Sequence, residues 1–173
     1  MGGVRLGSSW GPKGGRPPSP TLRHLPADEA RLMLDVRPTA AMRASWHPEY
    51  PLDDTLEGLT WLFAAWHEMG GLDPDSPWWT YQLVVDGQVV GDIGFHGPPD
   101  DHEQLTIGYQ VVPAVRGRGI ATAACAQLVA LAWSAGANRL LAFTDSDNHA
   151  SQQVLRHNGF VSPDGRSFSL DRP

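Results

Sequence analysis

Gly108-Tyr-Gln-Val-Val-Pro-Ala-Val-Arg-Gly-Arg-Gly-Ile-Ala121 is the stretch from which the fold of this 173-residue chain is read. Leu105 to Val112 is β-branched and apolar, which predicts a buried strand, and Pro113 ends it because proline cannot donate to a ladder. Ala121 to Ala135 holds neither proline nor glycine and has high helix propensity throughout. Between them stands Arg116-Gly117-Arg118-Gly119, so the order is strand, Gly-Arg loop, helix. The first N–H groups of a helix lack internal partners, and the helix dipole adds partial positive charge there. Glycines lack a Cβ, so backbone N–H groups can approach an anion closely, and the two arginines can add charge-assisted hydrogen bonds. The expected guest is a pyrophosphate, held by Arg116, Gly117, Arg118, Gly119 and the helix-opening residues Ile120, Ala121 and Thr122.

Downstream, Asn148-His-Ala-Ser151 leads through Val154 and Leu155 to Asn158-Gly159-Phe160. Arg116-x-x-Gly119-x-Ala121 resembles the Gln/Arg-x-x-Gly-x-Gly/Ala signature of the GCN5-related N-acetyltransferases (GNAT), and the second motif is similar to Asn-x-x-Ser…Gly-Phe of the same family. The serine variant most resembles the Rim-type branch of ribosomal-protein alanine N-acetyltransferases. The resemblance covers roughly residues 80 to 170 and two motifs in the right order carry it.

The resemblance implies a single-domain acyl-CoA N-acyltransferase fold of the α/β (α+β) class. Its mixed, mostly antiparallel sheet is flanked by helices and splays between the Leu105 strand and the Arg139 strand. It implies acetyl-CoA as donor, with the pantetheine arm in the splay against main-chain groups of Gln110, Val111 and Val112, and a free N–H there for the thioester oxyanion. Asn148 would cap its helix and also contact the pantetheine arm. Ser151 is then the proton or hydrogen-bond donor to the sulfur, with Tyr109 as the alternative. Direct transfer through a tetrahedral intermediate would acetylate a primary amine, either a small molecule or a protein N-terminus, and the family also makes a homodimer plausible.

Two positions depart from the pattern. Members of the resembled branch often carry a glutamate just before Ile-Gly-Tyr, where this chain has Thr106, and other branches carry a tyrosine where this chain has Leu155. Glu103, acting through water, is the first candidate base and His96 the second. The same departures motivate a reading from another class, a non-catalytic acyl-CoA-binding sensor module. Cys125, the single cysteine, reads as a buried small hydrophobe rather than an acyl-accepting nucleophile, since no basic neighbour adjoins it.

Composition bounds the rest. A formal net charge of −6 speaks against a partner nucleic acid and favours cationic substrates such as amines. The histidines lack paired ligand spacing, so no metal is expected. The apolar runs are too short or too interrupted for a membrane partner, and the N-terminus lacks a secretory h-region, so a cytoplasmic location is expected. Residues 1–20, rich in Gly, Pro and Ser, read as a flexible tail carrying Trp10, and residues 21–173 as the domain.

Within the domain, a strand is expected over Thr21 to Leu25 and a helix from Pro26 through Leu34. A second helix over Asp53 to Met69, capped by Asp or Thr, places Leu56, Leu59, Phe63 and Trp66 on one face, which reads as core packing, while the family resemblance makes Trp61 and Trp66 candidate walls of an acceptor pocket. Trp78 to Val85 and Gln88 to Phe95 form a hairpin through Asp86-Gly87. A strand over Arg139 to Thr144, a helix over Asn148 to His157 and a terminal hairpin of Phe160-Val161 with Ser167 to Leu170 complete the reading.

Overall fold

A computed structural model describes residues 19–71, 73 and 75–173. The expectations for the tail over residues 1–18, Trp10 included, lie outside the described residues. Pro20 is buried and its carbonyl accepts from Gln127 Nε2 at 2.9 Å, so the packed domain begins before the expected boundary at residue 21.

In chain order the elements are β1 (Thr21–His24), α1 (Ala27–Leu34), α2 (Ala40–Ala44), α3 (Asp53–Glu68), β2 (Thr80–Val85), β3 (Gln88–Phe95), β4 (Gln104–Val111), α4 (Ile120–Ser134), β5 (Arg139–Phe143), α5 (His149–His157) and β6 (Ser167–Asp171). The six strands make one sheet in sequence order, with β4 and β5 parallel and the other pairs antiparallel. The β2–β3 hairpin turns through Asp86 and Gly87 at φ 50° and 80°, the two positive angles that a type I′ turn demands.

Three local expectations are corrected. The short helix α2 was not foreseen; Thr39 Oγ1 accepts from the Met42 N–H at 3.2 Å to cap it, and five residues show no legible periodicity. Leu52, not Asp or Thr, is the N-cap of α3, and Thr55 turns inward with its hydroxyl accepting from the Leu52 N–H at 3.2 Å. The terminal hairpin shrinks to a single bridge, Val161 with Ser169, because β6 pairs along its length with β5 instead.

Successive strand residues face opposite sides of a sheet. On β4 the Gln110 side chain meets α3 through Thr55, and Tyr109 meets α5 through Ser151, so α3 and α5 cover opposite faces. The core between these layers includes Leu59, Leu62 and Trp66 of α3 and Ile120, Ala124, Leu128 and Ala132 of α4. Trp66 packs against Trp79, with ring centroids 6.4 Å apart, while Trp61 is 62% exposed.

β4 and β5 pair only across Gln104 with Arg139, Leu105 with Leu140 and Thr106 with Leu141. Beyond Thr106, β4 stays with β3 as far as Val112, whose N–H donates to the Val90 carbonyl at 2.9 Å, while β5 stays with β6. Each strand keeps its antiparallel partner, and the sheet opens between them.

Candidate active site

The loop after β4 is built from the backbone outward. Arg116 Nε donates to the Val111 carbonyl at 2.8 Å, which pins the loop to the strand it leaves. Gly117 and Gly119 then take φ 72° and 77°, a left-handed conformation that strains any residue with a Cβ. Gly119 is the N-cap of α4, has no capping side chain, and its carbonyl accepts the Ala123 N–H at 3.0 Å. The N–H groups of Ile120, Ala121 and Thr122 therefore have no acceptor within the helix and carry the positive end of its dipole. Because the Ile120 side chain is buried in the core, that residue can offer a ligand only its N–H. Asn158 Nδ2 donates to the Thr122 carbonyl at 3.3 Å, tying the start of α4 to the end of α5.

The opening between β4 and β5 is a cleft of about 420 Å³, lined among others by His96, Gly108, Tyr109, Phe143, Asn148 and Ser151. Asn148 caps α5, its Oδ1 accepting the Ser151 N–H at 3.1 Å. The Tyr109 hydroxyl lies 3.0 Å from the Ser151 carbonyl and 2.8 Å from Ser151 Oγ. A carbonyl only accepts, so a Tyr109 proton directed at it leaves Ser151 Oγ–H to donate to Tyr109. Burial pushes the Tyr109 phenol up to about 12 against the lowering effect of Ser151, so the pair stays neutral and proton-bearing. Neither Trp61 nor Trp66 lines this cleft; Trp66 instead lines a separate cavity of about 380 Å³ with Arg31, Phe63 and His67.

Of the three residues Gln110 to Val112, Val112 has its N–H committed to β3. An antiparallel ladder alternates its bonding direction, so Gln110 also turns its main chain to β3 and Val111 turns toward the opening. The Val111 carbonyl is taken by Arg116, which leaves its N–H facing the cleft.

Glu103, the first candidate base, does not line the cleft. It stands just before β4, in a left-handed turn at φ 57°. Its carboxylate instead accepts from Asn138 Nδ2. His96 does line the cleft, and a Cβ built on Gly108 would come within 2.5 Å of its Nε2. Cys125 is fully buried, and desolvation pushes its thiol up to about 12, which removes it as a nucleophile. Among the described residues no group of three or more His, Cys, Asp or Glu could hold a metal ion, and no helix is long and apolar enough to cross a membrane.

Sequence reasoning missed the polar cluster on the α3 face. Asp92 is 7% exposed; its Oδ2 accepts from Thr55 Oγ1 at 2.7 Å and its Oδ1 from Gln110 Nε2 at 2.9 Å. Burial raises the Asp92 carboxyl to about 6, outweighing the hydrogen bonds from Gln110, Thr55 and Tyr50. An acid raised above its ordinary value of 3.8 contributes fully to stability below that pH and loses the contribution as pH rises through about 6. Two pKa units correspond to roughly 3 kcal/mol. Relative to Asp92→Asn, the wild type is therefore expected to lose about 2 kcal/mol of unfolding free energy between pH 4.5 and pH 8. His24 and His96, whose pKa values partial desolvation lowers, titrate in the opposite sense but cancel in this difference. Urea unfolding of both proteins at the two pH values measures it, and a pH-independent difference contradicts the assignment.

Comparison with known proteins places these features in a family. Residues 21–161 match the model of the acetyltransferase (GNAT) domain. A curated relative, an uncharacterized N-acetyltransferase, YoaA, of Bacillus subtilis (strain 168), is 34% identical over 74 residues, and the match spans 42% of each chain. RimJ of Mycobacterium smegmatis, solved with CoA-disulfide, superposes with a TM-score of 0.55 at 21% identity, covering 87% of this chain and 80% of that one. The microcin C7 self-immunity acetyltransferase MccE, solved with acetyl-CoA and AMP, gives 0.56 at 16% identity, covering 89% and 93%. These structural likenesses are likenesses of fold.

Proposed function

Because this chain belongs to the GNAT acetyltransferase family, we propose that it transfers the acetyl group of acetyl-CoA directly to a primary amine, either a small molecule or a protein N-terminus. The observation that carries this reading is the common origin on β4 of two features. One is the glycine loop pinned by Arg116, and the other is the Tyr109–Ser151 hydroxyl pair in the adjoining cleft. The loop and the first N–H groups of α4 suit a pyrophosphate, with Arg116 and Arg118 beside it. The cleft suits a thin, extended arm, and the Val111 N–H is the donor aimed at the reacting carbonyl oxygen.

Acetyl-CoA supplies an acetyl group activated as a thioester, and this chain's residues position it and manage protons. Tyr109 and Ser151 hold a proton for the departing sulfur, a role that a binding module without turnover does not need. The net charge of −6 draws a cationic amine toward the body through long-range attraction.

The test is release of CoA thiol from acetyl-CoA with two acceptors, an alanine-initiated hexapeptide and spermidine, with mass spectrometry of the products. One acetyl group on the amine of at least one acceptor is the expected result. Tight acetyl-CoA binding without product from either acceptor would move the chain to the sensor reading.

A further inference from the structure

We propose that His96 is the residue that takes the proton from the acceptor amine, from a position across the ladder from the one where the resembled branch carries a glutamate. The inference rests on the N-acetyltransferase reading and adds to it the missing base.

The register sets the argument. Gly94 pairs with Gly108 and Phe95 with Ile107, so the next pair joins His96 to Thr106, and the His96 N–H donates to the Thr106 carbonyl at 2.9 Å. Directly opposed residues on neighbouring strands share a face, with Cβ atoms about 5 Å apart. His96 therefore presents its side chain on the face, and at the level, of the Thr106 side chain. Thr106 has no ionisable group, and Glu103, the carboxylate nearest in sequence, lies beyond it at the strand's start and is bound to Asn138. The cross-strand neighbour of Thr106 is thus an imidazole, and it is the basic side chain that lines the cleft.

Glycine at 108 makes room for that imidazole. A methyl group built there would lie 2.5 Å from His96 Nε2, so the ring leans over a bare stretch of β4 and into the cleft shared with Tyr109 and Ser151. His96 belongs with the Gln110 face of β4, whereas Tyr109 belongs with the opposite face. The proton acceptor and the proton donor thus stand on opposite sides of the strand that borders the opening, so the two protons are handled by separate groups.

The step balances. The ammonium gives one proton to the imidazole, and the freed nitrogen lone pair forms the N–C bond to the acetyl carbon. The C–S bond breaks with its electron pair on sulfur, the sulfur takes a proton through the Tyr109–Ser151 pair, and the nitrogen's second proton replenishes that pair by way of solvent. The imidazolium then releases its proton to solvent. His96 is exposed at the mouth of the cleft, where it can release a proton to solvent, and partial desolvation by the cleft walls lowers its pKa below the ordinary 6.5, which favours the neutral, accepting ring at pH 7. The other titratable groups on the cleft are Tyr109 and Asp145, and neither contributes to that shift. On the α3 face, two same-face ladder pairs further along β3, the Asp92 carboxyl is raised to about 6 by burial, and because it is bound to Thr55 and Gln110 any contribution it makes to the pH profile persists in His96→Gln.

His96→Gln is expected to lower kcat/KM about tenfold or more at pH 7.5, with the hexapeptide or spermidine as acceptor. It should also erase the limb of the pH profile that rises below pH 6.5, and leave acetyl-CoA affinity within twofold of wild type. Adding Thr106→Glu to that variant moves a base to the other strand of the same pair and is expected to restore most of the turnover. An active wild type whose turnover and pH limb survive His96→Gln would overturn the proposal and leave the transferase reading intact. A wild type that binds acetyl-CoA but acetylates neither acceptor would overturn both.

Discussion

Gly119→Val is expected to weaken acetyl-CoA binding about a hundredfold in a protein that remains folded. At φ 77° a β-branched residue sits in the left-handed region, which costs roughly 1–3 kcal/mol if the loop holds its shape. Relieving that strain turns the first N–H groups of α4 away from the pyrophosphate, and hydrogen bonds to charged groups are worth about 1.5–3 kcal/mol each. Strain that the loop keeps costs stability, whereas its relief costs binding, and the second route gives the loss of about a hundredfold. The helix itself should persist, because its first hydrogen bond is to the Gly119 carbonyl and its buried residues Ile120, Ala124 and Leu128 are unchanged. Calorimetric titration with acetyl-CoA, beside a thermal melt, separates the two effects. Unchanged affinity would show that the loop does not hold the cofactor.

The second large effect is expected at the hydroxyl pair. Tyr109→Phe and Ser151→Ala should each reduce kcat by about a hundredfold, within the range of a positioned general acid, with little change in acetyl-CoA affinity. The hydroxyls share a proton across 2.8 Å, so the double variant should be no worse than the more damaged single one. With its phenol held near 12, Tyr109 keeps its proton throughout the assay range and adds no falling limb to the pH profile below about pH 10. Losses that multiply in the double variant would mean that the two side chains act separately.

How much of this was legible in the sequence depended on whether the deciding contact was local. Pro113, the two loop glycines and the proline-free run after them define strand, loop and helix within one short window. Asp86-Gly87 likewise fixes a hairpin, and Asn148 with Ser151 fixes a cap. The sequence offered both Glu103 and His96 as bases but ranked them wrongly for the proposal made above, because sequence proximity misleads along a strand. Glu103 is near Tyr109 in sequence but does not line the cleft, whereas His96 reaches Gly108 across the ladder. The Asp92 cluster joins α3, β3 and β4, so no single stretch announces it. The free donor among Gln110 to Val112 follows from ladder parity, which the sequence leaves open until one interstrand hydrogen bond is known.

The central claim is that the β4 loop and the neighbouring cleft hold acetyl-CoA. Isothermal titration of the full chain with acetyl-CoA tests it most directly. The account predicts saturable one-to-one binding that weakens as salt is raised, falls about a hundredfold on Gly119→Val and survives Ser151→Ala. A folded protein that takes up no acetyl-CoA would contradict it.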